Sequence, residues 1–334
     1  MGGFMAVCVT DFVQGTLMLI GLLVVPLVAY FLLPGNLTDL ISQSGVTGGA
    51  GAYLNPFMNG DRPYTFIEIF SQLAWGFGYC GMPHVLVRFM AVKNEKELKK
   101  SWAIAIVWDL LSLTAAFAIA VIGRAYLLPV ILGENGAASS ESVFIEMIRK
   151  VFTSELALPF IGGLFLCGIL AAIMSTADSQ LLVTASAVSE DLYHSFIKKD
   201  ADTEEILKVS RITVIAIAVI AFAIAWNPDS SIMGLVSNAW AGLGSAFGPI
   251  VVMSLFWRRT NLPGAIAGMV TGGLTVIIWD YIPLVGGQTL GTYTGLYSLA
   301  VGFLLSLVMV VIVSLVTKAP SKEITDEFDR VAAK

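Results

Sequence analysis

The residues best suited to chemistry lie in the stretch Ala171–Gln180, which carries Ser175, Thr176, Asp178 and Gln180 inside a long apolar segment. Two adjacent hydroxyls, an acid and an amide at membrane depth are costly unless they are satisfied or used. Ser175 and Thr176 stand three and four residues after Ala172, so on a helix all three share one face. That face offers oxygen atoms and little bulk, a set that suits a small hard cation such as Na+. The competing chemistry is internal, each hydroxyl donating to a carbonyl one turn earlier. Asp178 is an intramembrane acid and a candidate for the path of the same cation; it can equally face an inward water-filled cavity.

A second run, Ser71–His84, holds Gly76, Gly78 and Gly81 followed by Pro83. This composition predicts a broken helix, because glycine loosens and proline interrupts the helical ladder. A break in a membrane helix frees backbone groups that protein, water or ligand must satisfy. Discontinuous helices of this kind point their ends at substrate carboxylates and coupling ions. Trp75 and Tyr79, four residues apart, can wall one side of a small pocket, or can be ordinary core where glycines bring helices together. Asp11, after Thr10, is either a functional acid or an interfacial or capping one. Glu68 and Asp280 fall near span ends, where solvation is cheap, and Asp109 lies deeper with no evident partner. His84 reads as a structural histidine. In Asn238–Pro249, close packing accounts for most of the small residues, with Trp240 or Phe247 a candidate gate.

The elements that must position these groups are membrane helices. The chain has 334 residues, 57% hydrophobic and 13% charged, with mean hydropathy +0.83; a soluble domain carries about 25% charged residues. Apolar runs long enough to cross a bilayer are predicted at about 4–33, 66–92, 102–127, 157–189, 210–226, 232–257, 263–283 and 293–317. About eight transmembrane helices make this an all-α membrane protein, since helices satisfy their own backbone in lipid. With both ends of the chain cytoplasmic, all of the 19 Lys and Arg residues except Arg62, Arg124, Arg149 and Lys150 fall inside, which obeys the positive-inside rule. Residues 35–64 read as an irregular outside loop, 140–152 as a short helix with a lid or interfacial role, and 194–209 as a solvated linker. Residues 1–317 are expected to form one transmembrane domain and 318–334 a charged cytoplasmic tail, short-helical or disordered. The first basic residue is Arg62, so the opening span lacks the charged flank of a natural start or signal peptide and is expected to be a cut within a longer protein.

Several classes are excluded. A net charge of −5 with no basic aromatic-interleaved cluster argues against a nucleic-acid partner. Cys8, Cys80 and Cys167 are scattered through apolar spans, giving neither a disulfide frame nor metal spacing. The two histidines make a histidine metal centre improbable, and no nucleophile–base pair or phosphate loop points to an enzyme.

The run Trp75–Phe89, the run 171–183, the run 237–251, the segment 6–14 around Asp11 and the segment 189–193 together resemble the sodium:solute symporter family, in order and over essentially the whole chain. The resemblance implies a leucine-transporter-like fold of two inverted five-helix repeats. The first span here then resembles core helix five, spans two to six resemble core helices six to ten, and the last two are peripheral. It implies that Ala172, Ser175 and Thr176 line the main sodium site, that Trp75, Tyr79 and Pro83 contact substrate, and that Asp11 handles sodium on the inward side, with Asp178 a possible part of that pathway. Met82 departs from the family pattern, where a glutamine is common. Helices resembling core helices one to four are not found, so this polypeptide alone is expected not to transport. The implied activity is sodium-coupled import of a small zwitterion, proline first, across the cell (plasma or inner) membrane. The co-transported ion is sodium, the partners are solute and lipid, and no obligatory protein partner is expected. The alternatives are a sodium symporter for another organic solute, or a transporter-like solute-sensing module, a class expected to carry a cytoplasmic signalling domain.

Overall fold

The computed structural model describes residues 3–127, 140–226 and 231–332. Among these, seven helices are long and apolar enough to cross a membrane. They are α1 (Gly3–Phe31), α7 (Glu95–Tyr126), α9 (Pro159–Ser186, continued as π-helix over Ala187–Ile197), α10 (Thr203–Ala225), α11 (Ile232–Phe256), α12 (Leu262–Tyr281) and α14 (Ser298–Val316). The predicted span at 66–92 is helical but broken, as its glycines and proline require. It comprises α4 (Phe66–Leu73), α5 (Trp75–Gly78), a 3₁₀ turn (Tyr79–Gly81) and α6 (Pro83–Met90). This is an all-α, multi-pass membrane protein. On α10 no residue of the apolar window is fully buried.

The chain forms two compact units. The first comprises residues 1–63 and 91–229. Its core gathers Val25 and Ala29 of α1, Tyr126 of α7, Phe165 of α9, and Met147, Ile148, Val151 and Phe152 of the segment formed by α8 (Val143–Ile148) and its π-helical continuation Arg149–Glu155. The short helix expected over 140–152 therefore exists, and its apolar side is buried in this unit's core. Residues 128–139 of the adjoining loop lie outside the described residues.

The segment 35–64 is more ordered than its sequence suggests. It contains α2 (Leu37–Gln43), α3 (Gly49–Tyr53) and the hairpin β1 (Met58–Asn59)–β2 (Arg62–Pro63). Asn36 caps α2 by accepting from Thr38 N at 3.1 Å, and Ile41 is buried against Val121 and Ala125 of α7. One capped turn with one anchoring side chain is too short to leave a period in sequence. The linker expected at 194–209 shrinks likewise, because α9 continues to Ile197 and Asp202 starts α10 by accepting from Glu205 N at 2.8 Å.

The second unit comprises residues 64–90 and 230–334. Thr65 and Glu68 form a capping box that begins α4, Thr65 N donating to Glu68 at 2.8 Å and Glu68 N to Thr65 at 3.3 Å. Helices α11, α12 and α14 pack through small residues. Between α12 and α14, the hairpin β3 (Pro283–Val285)–β4 (Gln288–Thr289) turns at Gly286 and Gly287, φ +57° and +80°, a geometry two-residue hairpins reserve for glycine. A short helix α13 (Leu290–Thr294) follows, and Asp280 accepts from Ser298 at 2.6 Å at the start of α14. The charged tail is helical, α15 (Lys322–Ala332), and Arg258 grips Asp329 with two hydrogen bonds of 2.7 Å. That guanidinium holds the Asp329 carboxyl below its usual range.

Candidate functional site

In the first unit, α9 is unbroken where its polar residues cluster. Ser175 Oγ donates to the Ala172 carbonyl at 3.1 Å, and Thr176 Oγ1 donates to the same carbonyl at 3.4 Å. The internal hydrogen bonding open to these hydroxyls is therefore present, and it gathers three oxygens on one helical turn. Each hydroxyl keeps lone pairs beyond its donated bond, so the turn offers a cation one carbonyl and two hydroxyl oxygens.

One turn further on, Ser179 is buried. Its hydroxyl donates to the Ser175 carbonyl at 2.9 Å and stands 3.4 Å from Asp11 Oδ2. Helix α1 delivers Asp11 there because α1 and α9 approach closely through glycines. Gly21 faces Phe165 and Gly168 faces Leu17. Gln14, on the Asp11 side of α1, has a buried Oε1 with no hydrogen-bond partner among the described residues. Beside Ala172 lies an apolar cavity of about 160 Å³, lined by Leu17, Gly21, Phe144, Phe165 and Gly168 among others. Asp178, three residues after Ser175, is half-buried. The structure joins Asp11 to the Ser175 turn through Ser179. Ser179 and Gln14 were missed in sequence; the i, i+4 spacing of Ser175 and Ser179 was the available signal.

In the second unit, the broken helix brings Trp75 and Tyr79 to one aromatic cluster. Trp75 stacks on Trp240 of α11 at 5.3 Å and on Tyr297 at 6.1 Å between ring centroids, with interplanar angles of 12° and 14°. Two rings therefore stack on Trp75, which is half-buried. Tyr79 meets Trp240 edge to face at 4.8 Å, and 53% of Tyr79 is exposed. Met82 is extended, φ −84° and ψ 111°, and Pro83 starts α6 after it, as a residue preceding proline prefers. Tyr79 is thus the more exposed ring at the break, and Trp75 and Pro83 are both half-buried. Phe247, the other candidate gate, lies on α11 outside this stack, and Phe77 pairs instead with Phe303 at 4.9 Å.

The model of the sodium:solute symporter family matches residues 1–272. The chain belongs to the sodium:solute symporter family. It is 43% identical to the osmoregulated proline transporter OpuE of Bacillus subtilis (strain 168), over 96% of this chain and 61% of that protein. It is 39% identical to the high-affinity proline transporter PutP of the same organism, over 98% of this chain and 64% of that protein. It is 37% identical to the sodium/proline symporter of Escherichia coli (strain K12), over 98% of this chain and 61% of that protein. The chain spans about three-fifths of the length of these relatives. Family membership agrees with the resemblance carried by the runs at 75–89, 171–183 and 237–251.

Proposed function

We propose that this protein takes part in sodium-coupled import of a small zwitterionic solute, proline in the first instance, by alternating access, with both ends of this chain cytoplasmic. The observation that carries the reading is the convergence of the Ala172 carbonyl with the Ser175 and Thr176 hydroxyls. Na+ is the cargo that such a turn fits: neutral oxygens replace part of its hydration shell without the charge density that a divalent ion requires. Asp11 and the open Gln14 acceptor support a route for the ion towards the cytoplasmic end of α1, since a buried acceptor without a donor is costly unless something visits it. The names of the relatives support proline as the solute.

The proposed mechanism is one of linked binding. Na+ enters the α9 turn and stabilises the state open to the outside. Solute then docks at Tyr79 and the break before Pro83, and the doubly loaded protein turns inward. Each ligand shifts that equilibrium only by its preference for one state over the other, and sodium must raise solute affinity by the same factor by which solute raises sodium affinity. The test is uptake of radiolabelled proline by the intact protein in proteoliposomes, with an inward Na+ gradient against an equal K+ gradient. Accumulation with Na+ alone is expected. Equal uptake in both overturns sodium coupling, and Na+-driven uptake of a different solute overturns proline.

A further inference from the structure

We propose that Trp240 is a positioning residue for the solute site, holding the broken helix so that Tyr79 is presented; this rests on the reading above of where solute binds. Helix α5 is four residues long and gives way at once to the 3₁₀ turn, so its own ladder is short. Trp240 Nε1 donates to Trp75 O, the first carbonyl of α5, at 3.0 Å. The same indole covers one face of Trp75 and receives the edge-to-face contact with Tyr79. A single side chain from α11 thus touches the backbone at the start of the break and the rings on both sides of it.

Two further observations place this indole by construction. A Cβ at Gly78 would fall on the Trp240 ring, and one at Gly244 would lie 2.8 Å from Gly78 Cα, so the fit requires glycine on both helices. Tyr297 also stacks on Trp75 and is itself fixed at both ends. Its hydroxyl donates to Ser237 O at 2.7 Å and its N–H donates to Ser71 Oγ at 3.1 Å. Trp75 stacks on two anchored rings, so motion of the 75–81 segment requires the Trp240 hydrogen bond and stack to give way. Solute affinity then depends on Trp240 although Tyr79, not Trp240, meets the solute.

The test uses the intact protein carrying Cys8→Ala and Cys167→Ala, which leaves Cys80, inside the segment, as the reporting thiol of this chain. Trp240→Phe keeps a ring but removes the N–H; β-(3-benzothienyl)alanine at position 240 keeps the indole shape, lacks the N–H and serves if the Phe variant does not fold. Cys80 labelling by a membrane-permeant maleimide is expected to accelerate on the order of five-fold, the worth of one net hydrogen bond. The half-saturating proline concentration is expected to rise by a similar factor with half-saturating Na+ unchanged. An unchanged Cys80 labelling rate overturns the proposal. So does a parallel loss of sodium and solute affinity, which marks general destabilisation. If the parent takes up no proline, the functional reading fails, and Cys80 labelling still decides the role of Trp240.

Discussion

The two polar regions are built on opposite principles. On α9 the clustered oxygens sit on a continuous helix, and the backbone ladder stays intact beneath Ala172, Ser175 and Thr176. In 66–90 the helix itself is broken and aromatic rings supply the rigidity that the ladder has lost. On the proposed reading, a monovalent ion draws part of its oxygen shell from one helical turn. A solute with its own donors and acceptors needs backbone freed from helical bonding, and freed backbone must be braced. The difference predicts that substitutions on α9 act on sodium with little effect on folding, whereas substitutions near the break act on solute and on stability together.

The largest effect expected from this contrast is on sodium. Ser175→Ala combined with Thr176→Ala removes two of the three converging oxygens, and the half-saturating Na+ concentration should rise by tenfold or more, about 1.4 kcal/mol per decade. Expression and thermal stability should change little, because each lost hydrogen bond is internal to one helix. Unchanged sodium dependence would return these hydroxyls to a purely structural role. Next comes Gly78→Ala, whose added methyl lands on the Trp240 ring and should cost about 1–3 kcal/mol of stability as overpacking. The control is Gly76→Ala, where the methyl meets nothing within 4 Å; thermal unfolding should separate the two, and equal melting would break the picture of a braced segment.

A smaller effect sharpens the comparison from the other side. Tyr79→Leu should raise half-saturating proline several-fold, on the order of 1 kcal/mol for a lost ring contact, and leave half-saturating Na+ alone. A sodium shift in this variant would place Tyr79 in the wrong site. The smallest effect lies outside both regions. Asp329→Asn removes the grip of Arg258 on α15 and should leave uptake unaltered while faster amide exchange appears across 322–332. Because the Asp329 carboxyl titrates below its ordinary value of about 4, the pair is present above that pH and is lost as pH falls through the lower folded value. Exchange in 322–332 that stays constant through that acid range would contradict the tether.

How far the sequence foretold these regions follows from how local each signal is. The break at 74–82 was legible because Gly76, Gly78, Gly81 and Pro83 state it within eight residues. The shared face of Ala172, Ser175 and Thr176 was legible from helical spacing alone. The bracing was not, since Trp240 reaches Trp75 across 165 positions and no periodicity encodes a partner so distant. Asp11 stood out as an acid in an apolar span, yet its meeting with Ser179 depends on the glycine contacts that set α1 against α9. Helices α2 and α3 and the shortened linker before α10 escaped notice because single capped turns carry no period. Trp75 was expected as a wall of the solute pocket or as ordinary core; its stacks on Trp240 and Tyr297 join partners that sequence spacing does not reveal.

The central claim, that the α9 turn binds a lone sodium ion, is tested most directly by isothermal titration of NaCl into the purified intact protein in choline-based buffer, beside the Ser175→Ala/Thr176→Ala variant. Saturable heat in the parent and its loss in the variant are the predicted result; saturable heat of equal size and midpoint in both would contradict it.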